Sequence, residues 1–168
     1  MYCSHCGFKF VSEIWPRVCG VCNEITWRNP LPVVVAVLKI GQGVLLVRRR
    51  SQPGYGKLAL PGGFLDYGET WQEGVARELQ EETGIEMPPS SFKFHRLESS
   101  ADKKHILIFG ASPWYIMEDQ ALAQIKAFQP NSEVSELVIT ERPVELAFQT
   151  HTEVLAHYLT YMKPSEWG

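Results

Sequence analysis

A chain of 168 residues suits one ordinary domain, or one domain with a small appendage. Its 45% hydrophobic and 21% charged residues are those of a soluble globular protein, and a net charge of −3 argues against a general nucleic-acid binder, which needs a basic surface. The longest apolar run, Leu31 to Leu38, falls far short of a membrane span, and the opening MYCSHCGFKF lacks the basic-then-apolar order of a signal peptide, so a cytoplasmic location without membrane contact is expected.

All four cysteines lie before residue 23, as Cys3-x-x-Cys6 and Cys19-x-x-Cys22, with twelve residues between the pairs. Each Cys-x-x-Cys turns back on itself and aims two sulfurs at one point, the spacing of a tetrahedral zinc site. Two disulfides are the competing reading, but nothing in the sequence suggests an oxidising compartment. A redox pair would want a βαβ context, which is absent. Four thiolates already fill the shell, so His5 reads as a bystander and the ion as structural, not catalytic. Residues 1–29 are too short to bury a core alone, so metal must supply the folding energy of this module. Trp15 and Trp27 read as packing residues. Asn29-Pro30-Leu31-Pro32 reads as the linker into a second domain, residues 30–168.

Val33 to Ile40, rich in β-branched residues, predicts a buried strand. Gly41-Gln42-Gly43 turns it, and Val44 to Arg50 returns, ending in three arginines that read as a solvated strand end unless one reaches a phosphate or a glutamate. A loop, Ser51 to Lys57, precedes a short strand at Leu58 to Leu60 and a sharp turn, Pro61-Gly62-Gly63. A helix starts near Thr70, where Thr70-x-x-Glu73 is a capping box, and stops at Gly84. Trp71, Val75 and Leu79 share its apolar face, with Glu78 and Glu82 on the flank and Arg77 one turn before Glu81. Acids at the edge of a buried face break local consistency, and such breaks tend to mark function. So many carboxylates within a turn and a half call for a cation among them. Strands at Phe92 to Glu98 and His105 to Tyr115 follow, then a helix from Glu118 to Phe128, a break at Pro130-Asn131-Ser132, and a strand from Val134 to Thr140. Thr150-x-x-Glu153 reads as a second capping box, opening a helix to about Met162.

From Gly63 the chain reads glycine, five residues, Glu69, seven residues, then Arg77-Glu78-Leu79-Gln80-Glu81-Glu82-Thr83-Gly84-Ile85. This resembles the Nudix hydrolase box, G-x5-E-x7-R-E-U-x-E-E-x-G-U with U aliphatic, at every fixed position. The resemblance implies an α/β fold, a Nudix α/β/α sandwich with a mixed sheet, here preceded by a small zinc ribbon. It also implies hydrolysis of a nucleoside diphosphate linked to another moiety. By the family pattern Glu78 and Glu82 ligate Mg2+ (or Mn2+), and Glu81 completes the shell or holds the water. The Gly62 carbonyl is a further ligand, Arg77 orients the acids and Glu69 fixes the loop before the helix. A base from a later loop is assigned to Glu133, with Glu136 as runner-up. Phe64, Tyr67, Trp114 and Tyr115 are candidate stacking aromatics.

A zinc ribbon ahead of a Nudix domain looks like the NADH and FAD pyrophosphatase branch and implies a homodimer. The NADH-directed members carry S-Q-P-W-P-F-P-x-S after the box, whereas here EMPPSSFKFHRLESS follows. That departure argues against NADH and leaves ADP-ribose, FAD, other dinucleotides or a nucleoside triphosphate open as the small substrate. The other class of reading is a nucleotide-sensing or nucleic-acid- or protein-binding module. It predicts a damaged box or a basic ribbon, and the sequence has neither.

Overall fold

The computed structural model describes residues 1–11, 13–116 and 118–161, and the chain divides into two compact units, Met1–Pro30 and Leu31–Gly168. In the first unit two short strands, β1 (Arg17–Val18) and β2 (Ile25–Thr26), pair antiparallel on either side of the second cysteine turn. Cys3 and Cys19 are buried, while Met1, Tyr2, Phe8, Val11 and Ile14 are exposed, so there is little apolar core here. Trp27 is also exposed, against its expected packing role, and Trp15 instead lies under the Arg17 guanidinium, 4.4 Å from its ring centre.

The second unit is a seven-stranded mixed sheet with helices, the α/β class expected from the sequence. Strand β3 (Leu31–Ile40) is central. It runs parallel to β8 (His105–Ile116) and antiparallel to β4 (Gly43–Arg49) and β6 (Gly62–Phe64). β4 also pairs with β5 (Leu58–Ala59) and β9 (Val134–Thr140), and β7 (Lys93–Ser99) closes the far edge against β8. β4 pairs with β3 only at Lys39 and Ile40. Further back, β6 takes the same edge of β3 at Val33 to Val35. The glycine turn is therefore a strand, held against the central strand of the sheet.

β3 alternates with period two, which sorts its side chains onto two faces. Val34, Ala36 and Leu38 pack with Val75 and Leu79 of α1 (Trp71–Thr83). Val35 and Val37 pack on the other face with Val154 and Leu155 of α3 (Gln149–Tyr161). A shorter helix, α2 (Glu118–Ala127), precedes β9. Two boundaries differ from expectation. β3 begins at Leu31, so Pro32 lies inside it, near its start, where the missing N–H is tolerated, and the Pro32 carbonyl accepts from Leu65. α3 starts at Gln149, two residues earlier than a Thr150 cap requires. Glu153 takes the Gln149 side-chain amide at 3.1 Å, and the Thr152 hydroxyl accepts the Leu146 N–H. The expected end at Met162 lies outside the described residues. Among the described residues no helix is long and apolar enough to cross a membrane.

Candidate carboxylate and cysteine sites

The acids of α1 are set by its two ends. Thr70 accepts the Glu73 N–H while the Glu73 carboxylate accepts the Thr70 N–H at 2.8 Å, and Gly84 closes the other end at φ 74° with its N–H on the Gln80 carbonyl. Between these caps Glu78 and Glu82 are buried, at 8% and 5% exposure, and face the β6 backbone. The Glu82 carboxylate accepts the Gly62 N–H at 2.9 Å. A Cβ on Gly63 would stand 2.6 Å from the Glu78 carboxylate, and one on Gly62, at φ 153°, would stand 2.2 Å from the Val34 carbonyl oxygen. Two glycines are thus required for the helix acids and the sheet to approach this closely.

Arg77 gathers the other acids. Its guanidinium binds Glu69 through two nitrogens (2.7 and 3.1 Å), Glu78 at 2.8 Å, Glu81 at 3.0 Å and the Phe64 carbonyl at 2.9 Å. Hydrogen bonding to Glu69 raises the Arg77 pKa further, and the same bond holds Glu69 below the usual carboxylate range. Glu69 also accepts the Asp66 N–H, which fixes the loop before α1. Glu81 lies on the exposed side of this network, its side chain 59% exposed.

Burial pushes the Glu78 carboxyl up, against the pull of Arg77. Glu82 is pushed up to about 8, chiefly by burial and then by Glu78 and Glu133, with the Gly62 N–H and the Arg49 charge opposing. Glu133 thus adds negative charge in the neighbourhood of both buried acids. Its own position comes from Asn131, whose side-chain oxygen accepts the Glu133 and Val134 N–H groups at 2.8 Å each and whose amide donates to the Glu81 carbonyl. The Glu133 carbonyl accepts the Arg50 N–H. Glu136 is instead paired with Arg48 at 2.6 Å.

The three arginines are not a free solvated end. Arg48 also donates to the Gly56 carbonyl, and Arg50 donates to the Asn131 carbonyl. Arg49 donates to Pro53 and Ser51 and lies over the Phe148 ring. Phe64 and Tyr67 are exposed, and the side chains of Trp114 and Tyr115 lie outside those described. The sequence offers Arg49 only as one of three arginines that could reach a glutamate, and Asn131 only as a helix break. A Pro-Asn-Ser ahead of an acid does signal an Asx turn, but not that the turn fastens Glu133 to α1.

Glu78 and Glu82 could hold a divalent cation, although among the described residues no third carboxylate stands close enough to complete a tight ligand group with them. Glu78, Glu82 and Glu133 repel one another, and Glu82 carries a carboxyl that burial keeps protonated up to about pH 8 without a metal. An ion among them would relieve both effects. In the first unit the sulfurs of Cys3, Cys6, Cys19 and Cys22 all lie within 4.8 Å of one another, with Cys3–Cys22 at 3.7 Å and Cys6–Cys19 at 3.6 Å. The cysteines are free thiols in this structure, not disulfides. The backbone N–H groups of Cys6 and His5 draw the Cys3 thiol down to about 6 and Cys19 is also lowered, whereas burial and the neighbouring sulfurs push Cys6 up and Cys22 up to about 12, so without an ion the four do not ionise together. His5 contributes its backbone N–H, to Cys3 at 3.4 Å, and is not a member of the sulfur group.

Residues 29–157 match the NUDIX domain family, and the chain belongs to that family. A Nudix hydrolase from Nitrosomonas europaea has the same fold, with a TM-score of 0.72 at 24% identity, covering 94% of this chain and 89% of that one. An ADP-ribose pyrophosphatase of Methanocaldococcus jannaschii is 42% identical over 57 residues, 34% of each chain. An NAD-capped RNA hydrolase NudC of Mannheimia succiniciproducens is 27% identical over 136 residues, 76% of this chain and 45% of that one. The chain thus spans less than half the length of these two relatives.

Proposed function

We propose that the protein is a divalent-metal-dependent pyrophosphohydrolase that cleaves the diphosphate bond of a nucleoside diphosphate linked to another moiety, of the dinucleotide or ADP-ribose type. The buried pair Glu78 and Glu82 carries this reading. Two carboxylates held against a side-chain-free backbone, with Arg77 on one flank only, are a pair that a cation would neutralise. Glu78 and Glu82 would hold Mg2+ or Mn2+, with Glu81 and the Gly62 carbonyl completing the set. An ion held there would make an attacking water more acidic and offset the phosphate charge. Arg77 keeps Glu78 and Glu81 in place. Glu133, set by Asn131, takes the proton of the attacking water. The water oxygen bonds to phosphorus, the bridging P–O bond breaks, and a nucleoside monophosphate and the phosphorylated second moiety leave.

The names of the relatives, one an ADP-ribose pyrophosphatase and one an NAD-capped RNA hydrolase, fit a diphosphate flanked by a nucleoside. The test is a panel of ADP-ribose, NADH, FAD, diadenosine compounds, nucleoside triphosphates and NAD-capped RNA with magnesium or manganese, with products identified. Release of AMP and ribose 5-phosphate from ADP-ribose is the expected result. Tight binding without turnover on every member would point to a nucleotide-sensing domain instead.

In the first unit, a zinc ribbon as a domain of its own, Cys3, Cys6, Cys19 and Cys22 would hold one structural Zn2+, and elemental analysis should find one zinc per chain. This unit would serve stability or homodimer formation. An unchanged dimer after removal of residues 1–30 would exclude the second role.

A further inference from the structure

The backbone that meets Glu82 is held at three successive residues by three different elements. Leu60 lies just past the end of β5, where the ladder no longer supplies an acceptor, and its N–H donates to Nδ1 of His151 on α3 at 3.3 Å. Pro61 follows, and its carbonyl accepts the Ala36 N–H of β3 at 2.8 Å. Gly62 then donates its N–H to Glu82 of α1 at 2.9 Å. Of the three anchors, two are the central strand and the acid itself. The third is a histidine 91 residues away, and the metal chemistry outlined above does not use it.

His151 has an environment that a leucine would fill at less cost. It is 5% exposed, its ring is edge-on to Phe109 at 5.6 Å, and it lies 5.0 Å from Phe148, whose ring is also covered by the Arg49 guanidinium. Burying an imidazole among aromatic rings is unfavourable unless its polar atoms are used. Burial, with the Arg49 charge, pushes His151 down to about 3, so Nδ1 stays an acceptor throughout the neutral range.

We propose that His151 is a positioning residue for the carboxylate site: by accepting the Leu60 N–H it sets the Leu60–Gly62 backbone at the distance from α1 that Glu82 and a bound cation require. The assignment rests on the reading of Glu78 and Glu82 as cation ligands. Loss of the acceptor leaves a buried N–H unsatisfied, and the segment shifts to relieve it, which alters the fit of Gly62 to Glu82. Loss of the ring alone leaves a cavity but keeps the segment in place.

Two substitutions separate these effects. His151→Asn retains an oxygen near the Nδ1 position and loses the ring. His151→Phe retains the ring and loses the acceptor. Mn2+ affinity by electron paramagnetic resonance, kcat and KM on a substrate from the panel, and Tm are measured on the full chain. His151→Phe is expected to bind Mn2+ on the order of tenfold more weakly and to lose kcat with little change in KM. His151→Asn is expected to stay close to wild type in both while showing the lower Tm of the two. If Mn2+ affinity and kcat instead follow Tm, with His151→Phe resembling wild type, the positioning role is overturned. His151→Leu replaces His151→Phe in the comparison if the latter does not fold. A wild-type chain that binds Mn2+ but cleaves no diphosphate refutes the hydrolase reading and leaves the positioning role standing. A wild-type chain that binds no Mn2+ overturns both.

Discussion

The cysteine unit and the carboxylate site both gather metal-type ligands, but they stand in opposite relation to the fold around them. In Met1–Pro30 the four sulfurs are the centre, the described pairing is two strands of two residues each and a Tyr2–Lys9 bridge, and most large apolar side chains are exposed. In the second unit the glutamates are attached to a helix that has its own caps and its own buried face, Val75 and Leu79, against β3. Where the ligands are the core, an ion and the fold are one equilibrium. Where the ligands lie beside a core, an ion adds chemistry to a structure that already exists.

The largest effect should come from changing one candidate ligand of the second site. Glu82→Gln should lower turnover by on the order of 10²-fold or more while circular dichroism stays unchanged, because the core supports the helix without the charge. A folding defect of the same size as the activity loss would place Glu82 among the structural residues. Chelation should act differently on the two units. EDTA should abolish hydrolysis and leave the Leu31–Gly168 unit folded, whereas stripping zinc should unfold residues 1–30 and release four reactive thiols. Amide exchange resolved by segment reads both at once, and equal protection of the two units after chelation would end the contrast.

Arg77→Ala comes next. It strands the charges of Glu69 and Glu78, and a stability loss of about 3 kcal/mol is expected from removing one partner of such a half-buried cluster. Urea denaturation measures it, and a loss under about 1 kcal/mol would mean the acids rearrange to water. A smaller effect comes from pH. His151 has a folded pKa of about 3 against an ordinary value near 6.5, so the unfolded chain takes up a proton first as pH falls. Its contribution is complete above about pH 6.5 and is lost on going down toward pH 3. The slope of Tm against pH in that window should shrink in His151→Asn. Smallest of all, Thr70→Ala removes one side of the capping box and should cost about 1 kcal/mol with ligand affinity untouched.

These expectations differ in how far they could have been made without coordinates. The box glutamates, the Thr70 and Gly84 caps and the cysteine pairs are legible because their geometry is local. A helix fixes what lies three, four or seven residues on, and a Cys-x-x-Cys turn fixes its own two sulfurs. What reads poorly is whatever depends on strand pairing. The glycine turn is a strand because β4 leaves β3 early, and no window of sequence states that. Pro32 argued for a linker, and the sheet overrode it. Arg48 to Arg50 look like a charged end until β9 and the 51–57 loop bring their acceptors, and Glu136 looks like a rival to Glu133 until Arg48 is seen on it. The Thr150 box does not form because α3 already starts at Gln149, where Glu153 takes the Gln149 side chain instead.

The two glycines of β6 lead to a final consequence, in the genetics of the protein. A Cβ at Gly62 strikes the backbone of Val34, whereas one at Gly63 strikes the side chain of Glu78. Both positions should appear intolerant in a mutational scan, yet they should differ in whether a second change can rescue them. Gly63→Ala has a flexible neighbour, so shortening it with Glu78→Asp gives the methyl room and should restore part of the folded population. Gly62→Ala meets a carbonyl that belongs to the central strand, and no substitution elsewhere moves it. A suppressor screen should therefore recover partners for Gly63 and none for Gly62.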